Sequence, residues 1–192
     1  MRRLVLIANS SALSADRSRQ EADTAAASII TRFVAGGLLL SHSARKDVGV
    51  TLIFDGRSCV SFEGGSMRNV RPDEQSLSGI IRAGLRRLTV AGKGRIMQGI
   101  NVFNEPMEEQ LEDLIGTRIF YAGAGGKTAN LQPQQDFSAV FQHPTLGSQT
   151  RETLLKAGFI QVRLGRCQLS VDQAVVALNN MADRGPFAGS AM

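Results

Sequence analysis

Two arginines and two acidic residues lie close together in the segment FEGGSMRNVRPDEQSLSGIIRAGL, which spans residues 62–85. Arg68 and Arg71 are suited to phosphate, because a planar guanidinium group can donate two parallel hydrogen bonds to a pair of oxygens. Asp73 and Glu74 follow a proline and precede an amphipathic repeat, where proline and acidic residues favour the start of a helix. The segment therefore combines candidate phosphate ligands with carboxylates that have a ready structural role.

The basic residues of the chain are mostly arginines. Of 22 basic residues, set against 17 acidic ones, only four are lysines, and the formal net charge is +5. This excess of guanidinium groups favours a polyanionic partner, most simply a nucleic acid. A plain solvated surface would also carry a modest positive charge, and Arg82 and Arg86, four residues apart on a predicted helix, fit such a face.

The glycine-rich segment AGAGGKT (122–128) contains the Gly-Lys-Thr that ends a phosphate-binding P-loop. The motif fails because Tyr121 stands where its leading glycine is required, and because the following ANLQPQQDF is not helical. Two interpretations remain open. The segment is either a flexible turn or a place where small residues let a ligand lie close against the backbone at the end of a strand.

The segment RLGRCQLSVDQAV (163–175) reads as a strand end, a turn, a short loop and a capped helix. Ser170 and Gln173 have the spacing of a capping box. The backbone N–H and C=O groups of such a loop could hold a neutral adenine or methionine moiety. An ordinary connection between a strand and a helix would have the same pattern.

Strands and helices alternate along nearly the whole chain. This alternation predicts an α/β fold with a parallel sheet, helices on both faces and ligands at the carboxyl ends of the strands. Residues 91–107 read as a hairpin-like excursion. The predicted strands are 4–8, 48–54, 57–62, 118–122, 138–142 and 159–164, and the predicted helices are 21–40, one starting near 72–74, 107–115, 148–158 and 170–184.

Several classes of protein do not fit the sequence. Cys59 and Cys167 are far apart and His42 and His143 are the only histidines, so we expect no metal site. The apolar run at 4–8 is shorter than the roughly 7–15 residues of a signal peptide core, and no stretch is long enough to cross a membrane. We therefore expect a single cytoplasmic domain spanning residues 1–192.

Three segments resemble stretches of the TrmY family, whose members are SPOUT-class enzymes that methylate N1 of a pseudouridine in the T-loop of tRNA. The order and spacing of the segments agree over nearly the whole chain. The middle segment, with a glycine before an arginine and then Pro-Asp-Glu, is the specific part of the resemblance. The segments are LLLSHSARKDVGVTLIF (38–54), FEGGSMRNVRPDEQSLSGIIRAGL (62–85) and RLGRCQLSVDQAVVALNN (163–180).

The resemblance implies a SPOUT-type parallel sheet whose C-terminal part is threaded as a trefoil knot, a rare exception to the rule that chains are unknotted. It also implies S-adenosylmethionine (SAM) as cofactor, and a homodimer that brings RNA-binding residues of one subunit near the cofactor of the other. The cofactor is expected at the ends of three successive strands. The residues implied to contact it are Ala122, Gly123, Gln142, His143, Leu164, Gly165, Cys167 and Leu169, with Ala174 behind the last loop.

The same resemblance implies an RNA-binding group that faces the target nucleotide. N1 of pseudouridine is an imide-like N–H that must lose its proton during methylation, so a carboxylate is expected as general base. Asp47 is the first candidate and Asp73, which has a ready role at a helix start, is the second; Asp47 could instead be an ion-pair partner of Arg45. The residues implied to bind RNA are Arg45, Arg68, Arg71 and Glu74.

The chain also departs from the family pattern. The turn FQHPTLGS keeps His143 but is shorter than the family's Gly-Asp-His or Thr-Asp-His turn and lacks its aspartate, and Ala174 replaces a cysteine. The resemblance as a whole nevertheless leads us to expect a SAM-dependent methyltransferase acting on N1 of pseudouridine 54 in tRNA. Two alternatives are a SPOUT-fold RNA-binding protein without catalysis, which the short turn favours, and a methyltransferase with another RNA target.

Overall fold

The computed structural model describes residues 1–13, 21–41, 43–114, 116–123 and 125–184. His42 and Ala124, which belong to segments discussed above, lie outside the described residues. A 3-10 helix follows the first strand at Ser10–Leu13. The strands are β1 (Arg2–Ala8), β2 (Val48–Phe54), β3 (Ser58–Glu63), β4 (Lys93–Met97), β5 (Ile100–Asn104), β6 (Thr117–Tyr121), β7 (Lys127–Thr128), β8 (Phe137–Gln142) and β9 (Ile160–Arg163), and the helices are α1 (Glu21–Leu38), α2 (Glu74–Ala91), α3 (Met107–Glu112), α4 (Ser148–Lys156) and α5 (Val171–Arg184).

All nine described strands form one sheet, in the order β4-β5-β3-β2-β1-β8-β6-β9-β7. Neighbours from β2 to β7 in this order are parallel, whereas β2, β3, β5 and β4 are joined by antiparallel pairs. The predicted α/β architecture is confirmed, and the antiparallel strands are the short partner strand and the hairpin predicted from the sequence. Strand β7 was not predicted, because two residues are too few to show a periodicity.

Helices cover both faces of the sheet, as predicted. On one face, α1, α2 and α5 bury residues such as Phe33, Leu77 and Val175 in the larger of two hydrophobic clusters. On the other face, α3 and α4 bury Leu111 and Leu154 in the smaller cluster. Apolar residues recur every three or four positions in these helices, so each helix turns one apolar stripe toward the sheet.

The last helix, α5, connects the two ends of the parallel strands. Its first residue, Val171, lies near the ends of β6 and β8, whereas Asp183 reaches Arg2 at the start of β1. In between, Asn179 Nδ2 donates to the carbonyl oxygens of Gly36 (3.3 Å) and Gly37 (3.0 Å) and fixes α5 on α1. We call the side where β1, β6, β8 and β9 end the carboxyl edge, and the side where β1, β2 and β8 begin the amino edge.

The start of α5 differs in one detail from the predicted capping box. Gln173 Oε1 accepts the N–H of Ser170 at 3.2 Å, as the box requires, but the Ser170 hydroxyl donates to Asp172 at 2.5 Å. In a complete box the hydroxyl oxygen would accept the N–H of Gln173; here the hydroxyl is oriented by its donation to a carboxylate, which is a strong acceptor. The trefoil knot and the single domain at 1–192 stay predictions. Within the described residues, no helix is long and apolar enough to span a membrane.

Candidate active site

A cavity of about 610 Å³ opens at the carboxyl edge, between the segments that follow β6, β8 and β9. Ligands bind at this edge in parallel α/β sheets, because the loops there converge on a crevice. Five of the residues predicted to contact a cofactor lie together on its wall. They are Ala122, Gly123, Gln142, His143 and Leu169.

The other four residues predicted to contact a cofactor do not line this cavity. Leu164, Gly165 and Cys167 belong to the loop between β9 and α5, but Leu164 packs against the hydrophobic core and the side chain of Cys167 is exposed. Ala174 belongs to α5 and is completely buried in the core. The loop instead turns Leu169 and its neighbour Gln168 toward the cavity.

The side chain of Tyr121 fixes this loop. Its hydroxyl lies 2.8 Å from both the backbone nitrogen and the carbonyl oxygen of Leu169, so it accepts one hydrogen bond and donates the other. The buried ring packs beside Phe141, with 5.9 Å between the ring centroids. The sequence analysis missed Tyr121. It is the only tyrosine of the chain, and its position at the end of a predicted strand could have identified it.

The glycine-rich segment after β6 packs against β9. Gly123 and Gly126 have φ angles of 67° and 91°, and a Cβ on Gly126 would lie 2.6 Å from the carbonyl oxygen of Gln161. Glycine is therefore required by both conformation and contact at this position. Lys127 and Thr128 form strand β7 rather than the start of a helix, so the rejection of a P-loop is confirmed.

The turn after β8 contributes neutral polar groups to the cavity. The backbone N–H of His143 donates to the carbonyl oxygen of Ile7 at 2.9 Å, and the side-chain oxygen Oε1 of Gln142 accepts the backbone N–H of Gly147 at 3.2 Å. Burial lowers the pKa of His143 below its usual value, although the negative charge of Asp172 opposes this effect. The imidazole is therefore neutral near pH 7.

At the amino edge, four charged side chains form a network. Arg2, which is buried, lies 2.7 Å from Asp183 and 3.4 Å from Asp47, and Arg45 lies 2.8 Å from the second oxygen of Asp183. Burial raises the pKa of Asp183, but the hydrogen bonds from Arg2 and Arg45 outweigh this and lower the pKa. Asp47 thus pairs with Arg2, whereas Arg45 pairs with a residue 138 positions away.

The glycine pair before Arg68 has a packing role at this edge. A Cβ on Gly64 would overlap the carbonyl oxygen of Arg45 and lie 2.9 Å from that of Val48. The N–H of Gly64 donates to the same Val48 oxygen at 3.0 Å. The close approach that glycine allows therefore brings the segment after β3 against the segment before β2.

A groove of about 450 Å³ lies between these two segments. Lys46 and Arg68 are among its lining residues, together with apolar side chains such as Met67 and Val70. Arg68 and Arg71 are exposed. The structure therefore separates the predicted RNA-binding arginines, because Arg45 belongs to the charge network while Arg68 lines the groove.

The acidic residues at the start of α2 have structural partners. Asp73 caps the helix and accepts the N–H of Ser76 at 2.7 Å, and this hydrogen bond lowers its pKa. Glu74 accepts the hydroxyl of Ser28 at 2.6 Å and lies 3.8 Å from Arg32. Asp47 has 57% of its side chain exposed and does not cap a helix. Among the described ranges, no three His, Cys, Asp or Glu side chains cluster as metal ligands would.

The cavity and the charge network lie at opposite ends of the same strands. Strand β1 begins at Arg2 in the network and ends beside the turn that carries His143. Its seven residues span about 20 Å at roughly 3.3 Å per residue. A small molecule in the cavity of one chain is therefore too far from Asp47 of the same chain for direct proton transfer.

One face of the molecule connects these two ends. We call it the α1–α5 face; it contains a groove of about 740 Å³ lined by residues from Leu169 near the cavity to Asp183 in the network. Val176, in the middle of this face, is 51% exposed. Arg45 and Asn179 also line this groove. Their atoms Nε and Oδ1 are buried and have no hydrogen-bond partner in the described structure.

Comparison with proteins of known sequence finds relatives that match nearly the whole chain. The tRNA (pseudouridine(54)-N(1))-methyltransferase of Methanosarcina acetivorans is 27% identical over 193 residues, covering 96% of this chain and 92% of that protein. The enzyme of the same name from Haloarcula marismortui is 27% identical over 196 residues, covering 97% and 98%.

A solved structure has the same fold. Nep1 of Archaeoglobus fulgidus, bound to S-adenosylhomocysteine, superposes with a TM-score of 0.61 at 12% identity, covering 94% of this chain and 96% of that one. The predicted fold class is thereby confirmed. A family model described as "Putative SAM-dependent RNA methyltransferase" matches residues 1–187. This chain therefore belongs to that family of SAM-dependent RNA methyltransferases.

Proposed function

We propose that the protein transfers a methyl group from SAM to N1 of pseudouridine 54 in the T-loop of tRNA. The names of relatives that match nearly the whole chain support this target. The observation that carries the proposal is the combination of two sites: a carboxyl-edge cavity lined by neutral residues and one arginine, Arg151, and a cationic groove beside an exposed carboxylate at the amino edge. One end suits a small cofactor, and the other suits a nucleotide with its phosphates.

The carboxyl-edge cavity fits SAM. Its volume of about 610 Å³ lies within the range of roughly 300–1,000 Å³ typical of small-molecule sites. The wall offers backbone groups of two loops and the neutral side chains of Gln142 and His143, which suit the uncharged adenine and ribose. When bound, SAM supplies an electrophilic methyl group. Ala122, Gly123 and Leu169 would contact SAM, and Tyr121, whose hydroxyl engages the backbone N–H and C=O of Leu169, fixes the conformation of that loop.

Asp47 is the residue that we propose as general base. Its carboxylate is largely exposed, so a nucleotide can reach it, and Arg2 at 3.4 Å orients it. The carboxylate would accept the N1 proton as the new N1–methyl bond forms. Asp73 is less suitable, because its carboxylate is engaged by the N–H of Ser76 and its lowered pKa makes it a weaker base.

Exposed cations near Asp47 would bind the RNA backbone. Lys46 and Arg68 line the amino-edge groove, and Arg71 is exposed just beyond it. Arg45 has only 17% of its side chain exposed and is held by Asp183, so we assign it mainly to positioning the network around Asp47. Glu74, which is held by Ser28 and Arg32, would fix the start of α2.

A second copy of the chain would complete the active site. Because about 20 Å separates the two edges along β1, we infer a homodimer in which Asp47 of one subunit serves the cofactor of the other. A two-fold axis through the α1–α5 face would achieve this. The helix α5 runs from one edge to the other, so an antiparallel arrangement of two copies brings the carboxyl edge of each beside the amino edge of its partner.

The chemistry of the α1–α5 face supports burial against such a copy. Val176 exposes an apolar side chain in the middle of this face. Gly36 lets α1 and α5 pack closely beneath it, since a Cβ there would lie 2.6 Å from Val176 Cγ2. Light scattering at micromolar concentration tests the dimer, and a mass of one chain, 20.6 kDa, would exclude it.

The short turn FQHPTLGS favours one alternative, an RNA-binding protein without catalysis. Calorimetric titration with SAM separates the two functions, because a retained cofactor site predicts binding and a silent protein predicts none at millimolar ligand. The target is tested with two tRNA transcripts that differ only in having pseudouridine or uridine at position 54. Methylation of the first transcript alone supports the proposal, and equal methylation of both would exclude N1 of pseudouridine as the acceptor. A tRNA substrate also fits the predicted cytoplasmic location.

A further inference from the structure

The edge strand at the far end of the sheet carries a group of cations that the active site does not use. From residue 75 to residue 104 the chain has five basic residues and no acidic one. Four of the five, Arg86, Arg87, Lys93 and Arg95, are exposed on the last turns of α2 and on β4. We call these four residues the β4 basic surface.

These cations lie on both faces of the edge strand β4. A Cβ on Gly94 would lie 3.1 Å from the central carbon of the Arg87 guanidinium, so Arg87 covers the face of β4 that is turned toward α2. Lys93 and Arg95 flank Gly94 in the strand, so their side chains point to the opposite face, at a spacing of about 7 Å. Among the described residues, none of the four forms an ion pair, whereas Arg2, Arg3, Arg32 and Arg45 do.

The β4 basic surface continues toward the amino-edge groove. The turn between β4 and β5 packs on the segment that contains Arg68, because a Cβ on Gly99 would lie 2.5 Å from the backbone nitrogen of Met67. The N–H of Glu63 also donates to the carbonyl oxygen of Gly99 at 2.8 Å. The end of β4 therefore lies next to the segment that carries Arg68.

We propose that the β4 basic surface binds the phosphodiester backbone of the substrate RNA outside the target loop. This inference rests on the proposed RNA substrate and adds a second contact region to it. Charged residues on an edge strand also prevent strand-to-strand aggregation, but any cation serves that purpose. Three of the four cations are arginines, which suit phosphate, and none of the four forms an ion pair among the described residues, so phosphate binding explains the surface better than a purely protective role.

The test compares two double variants that remove the same charge from opposite ends of the sheet. Lys93→Ala/Arg95→Ala removes part of the β4 basic surface, and Lys127→Ala/Lys156→Ala removes exposed lysines from β7 and α4. Binding of tRNA is measured against salt concentration, and binding of SAM is measured by calorimetry. We expect the first variant to reduce the slope of log K against log salt by about 1.5, since each lost phosphate contact removes about 0.7–0.9. The control variant should keep the slope, and both should keep SAM affinity.

Two results would overturn the proposal, and they are distinguishable. If wild-type protein binds tRNA but Lys93→Ala/Arg95→Ala has the same salt slope, the β4 basic surface is not an RNA contact, while the proposed function stands. If wild-type protein binds no tRNA, both the RNA contact at the β4 basic surface and the proposed function are contradicted. The charge-conserving variant Lys93→Arg/Arg95→Lys checks the reason for any loss. It should keep the slope if phosphate is the ligand, and a slope as low as that of the alanine variant would contradict phosphate binding.

Discussion

The two edges of the parallel sheet are built in different ways. At the carboxyl edge, neutral hydrogen bonds and glycine conformations fix the loops, as the contacts of Tyr121 and Gly126 illustrate. At the amino edge, ion pairs join distant parts of the chain, and Asp183 binds both Arg2 and Arg45. A wall of mostly neutral groups suits a small cofactor, whereas exposed charge suits a polyanion. Under the proposed function, the two substrates of the reaction approach opposite ends of each chain.

The largest expected effect concerns the base at the amino edge. Asp47→Asn should lower the single-turnover rate of methyl transfer by about 10²–10⁴-fold, because a general base typically contributes that much. RNA and SAM affinities should be nearly unchanged. Asp73→Asn is the matched control and should keep most of the rate while weakening the start of α2. A folded but inactive Asp73→Asn variant beside an active Asp47→Asn variant would reverse the two assignments.

A backbone contact at the amino edge gives the next largest effect. Gly64→Ala should destabilise the protein by about 1–3 kcal/mol, because its Cβ would overlap the carbonyl oxygen of Arg45. Gly79→Ala is the control, since a Cβ there meets nothing within 4 Å and alanine favours a helix by about 0.5–1 kcal/mol. Urea unfolding measures both. Equal stability of the two variants would mean that the segments at the groove are not in close contact.

At the carboxyl edge, the expected effect is on cofactor binding alone. Tyr121→Phe removes the hydroxyl that bonds both backbone groups of Leu169, and we expect SAM affinity to fall about tenfold, since hydrogen bonds contribute about 0.5–1.5 kcal/mol each. The salt dependence of RNA binding should not change. Calorimetry with SAM is the measurement. Unchanged SAM affinity would show that the loop keeps its conformation without the Tyr121 hydroxyl.

Two of the three predicted RNA-binding arginines, Arg71 and Arg45, should differ in effect. Arg71→Ala should weaken tRNA binding and reduce the salt slope by about 0.7–0.9, because an exposed phosphate contact is lost. Arg45→Ala should change the slope less but lower stability, because it leaves Asp183 with one partner instead of two. Both variants should bind SAM as the wild type does. An unchanged slope in Arg71→Ala would leave that residue without a role in RNA binding.

The smallest effect concerns the pH dependence of stability. The lowered pKa of Asp183 means that its carboxylate stabilises the folded protein at pH values above its usual pKa of about 3.9. This contribution is lost as the pH falls through the lower pKa of the folded state. Asp183→Asn should therefore be less stable than wild type at pH 7, with a smaller difference at pH 3. A constant difference between the two pH values would contradict the ion pairs.

The sequence predicted the carboxyl edge better than the amino edge. Ala122 and Gln142 are the last residues of predicted strands and Gly123 and His143 directly follow them, and the carboxyl ends of parallel strands meet at one edge. The role of Tyr121 depends on a contact with Leu169, 48 positions away, which no local pattern indicates. Cofactor contacts at Leu164, Gly165, Cys167 and Ala174 stay predictions without support from the cavity wall.

At the amino edge, local patterns were informative only for the cap at Asp73. The spacing of Arg45 and Asp47 suggests a mutual pair, but the fold supplies other partners, Asp183 and Arg2, from both ends of the chain. Periodicity predicted most helices and strands, because burial against a sheet imposes it. The separation of the two edges depends on strand order, which periodicity does not contain.

The most direct test of the shared active site is a mixing experiment. Asp47→Asn disables the amino edge, and Gly123→Val disables the carboxyl edge, because a branched side chain at a φ of 67° would be strained and would approach Gln168. Each variant should be nearly inactive alone. After the two are unfolded and refolded together in equal amounts, random dimers should recover about a quarter of wild-type activity, since half are heterodimers with one intact site each. If the mixture forms dimers but is no more active than the separate variants, the amino edge of one subunit and the carboxyl edge of the other do not form a shared site.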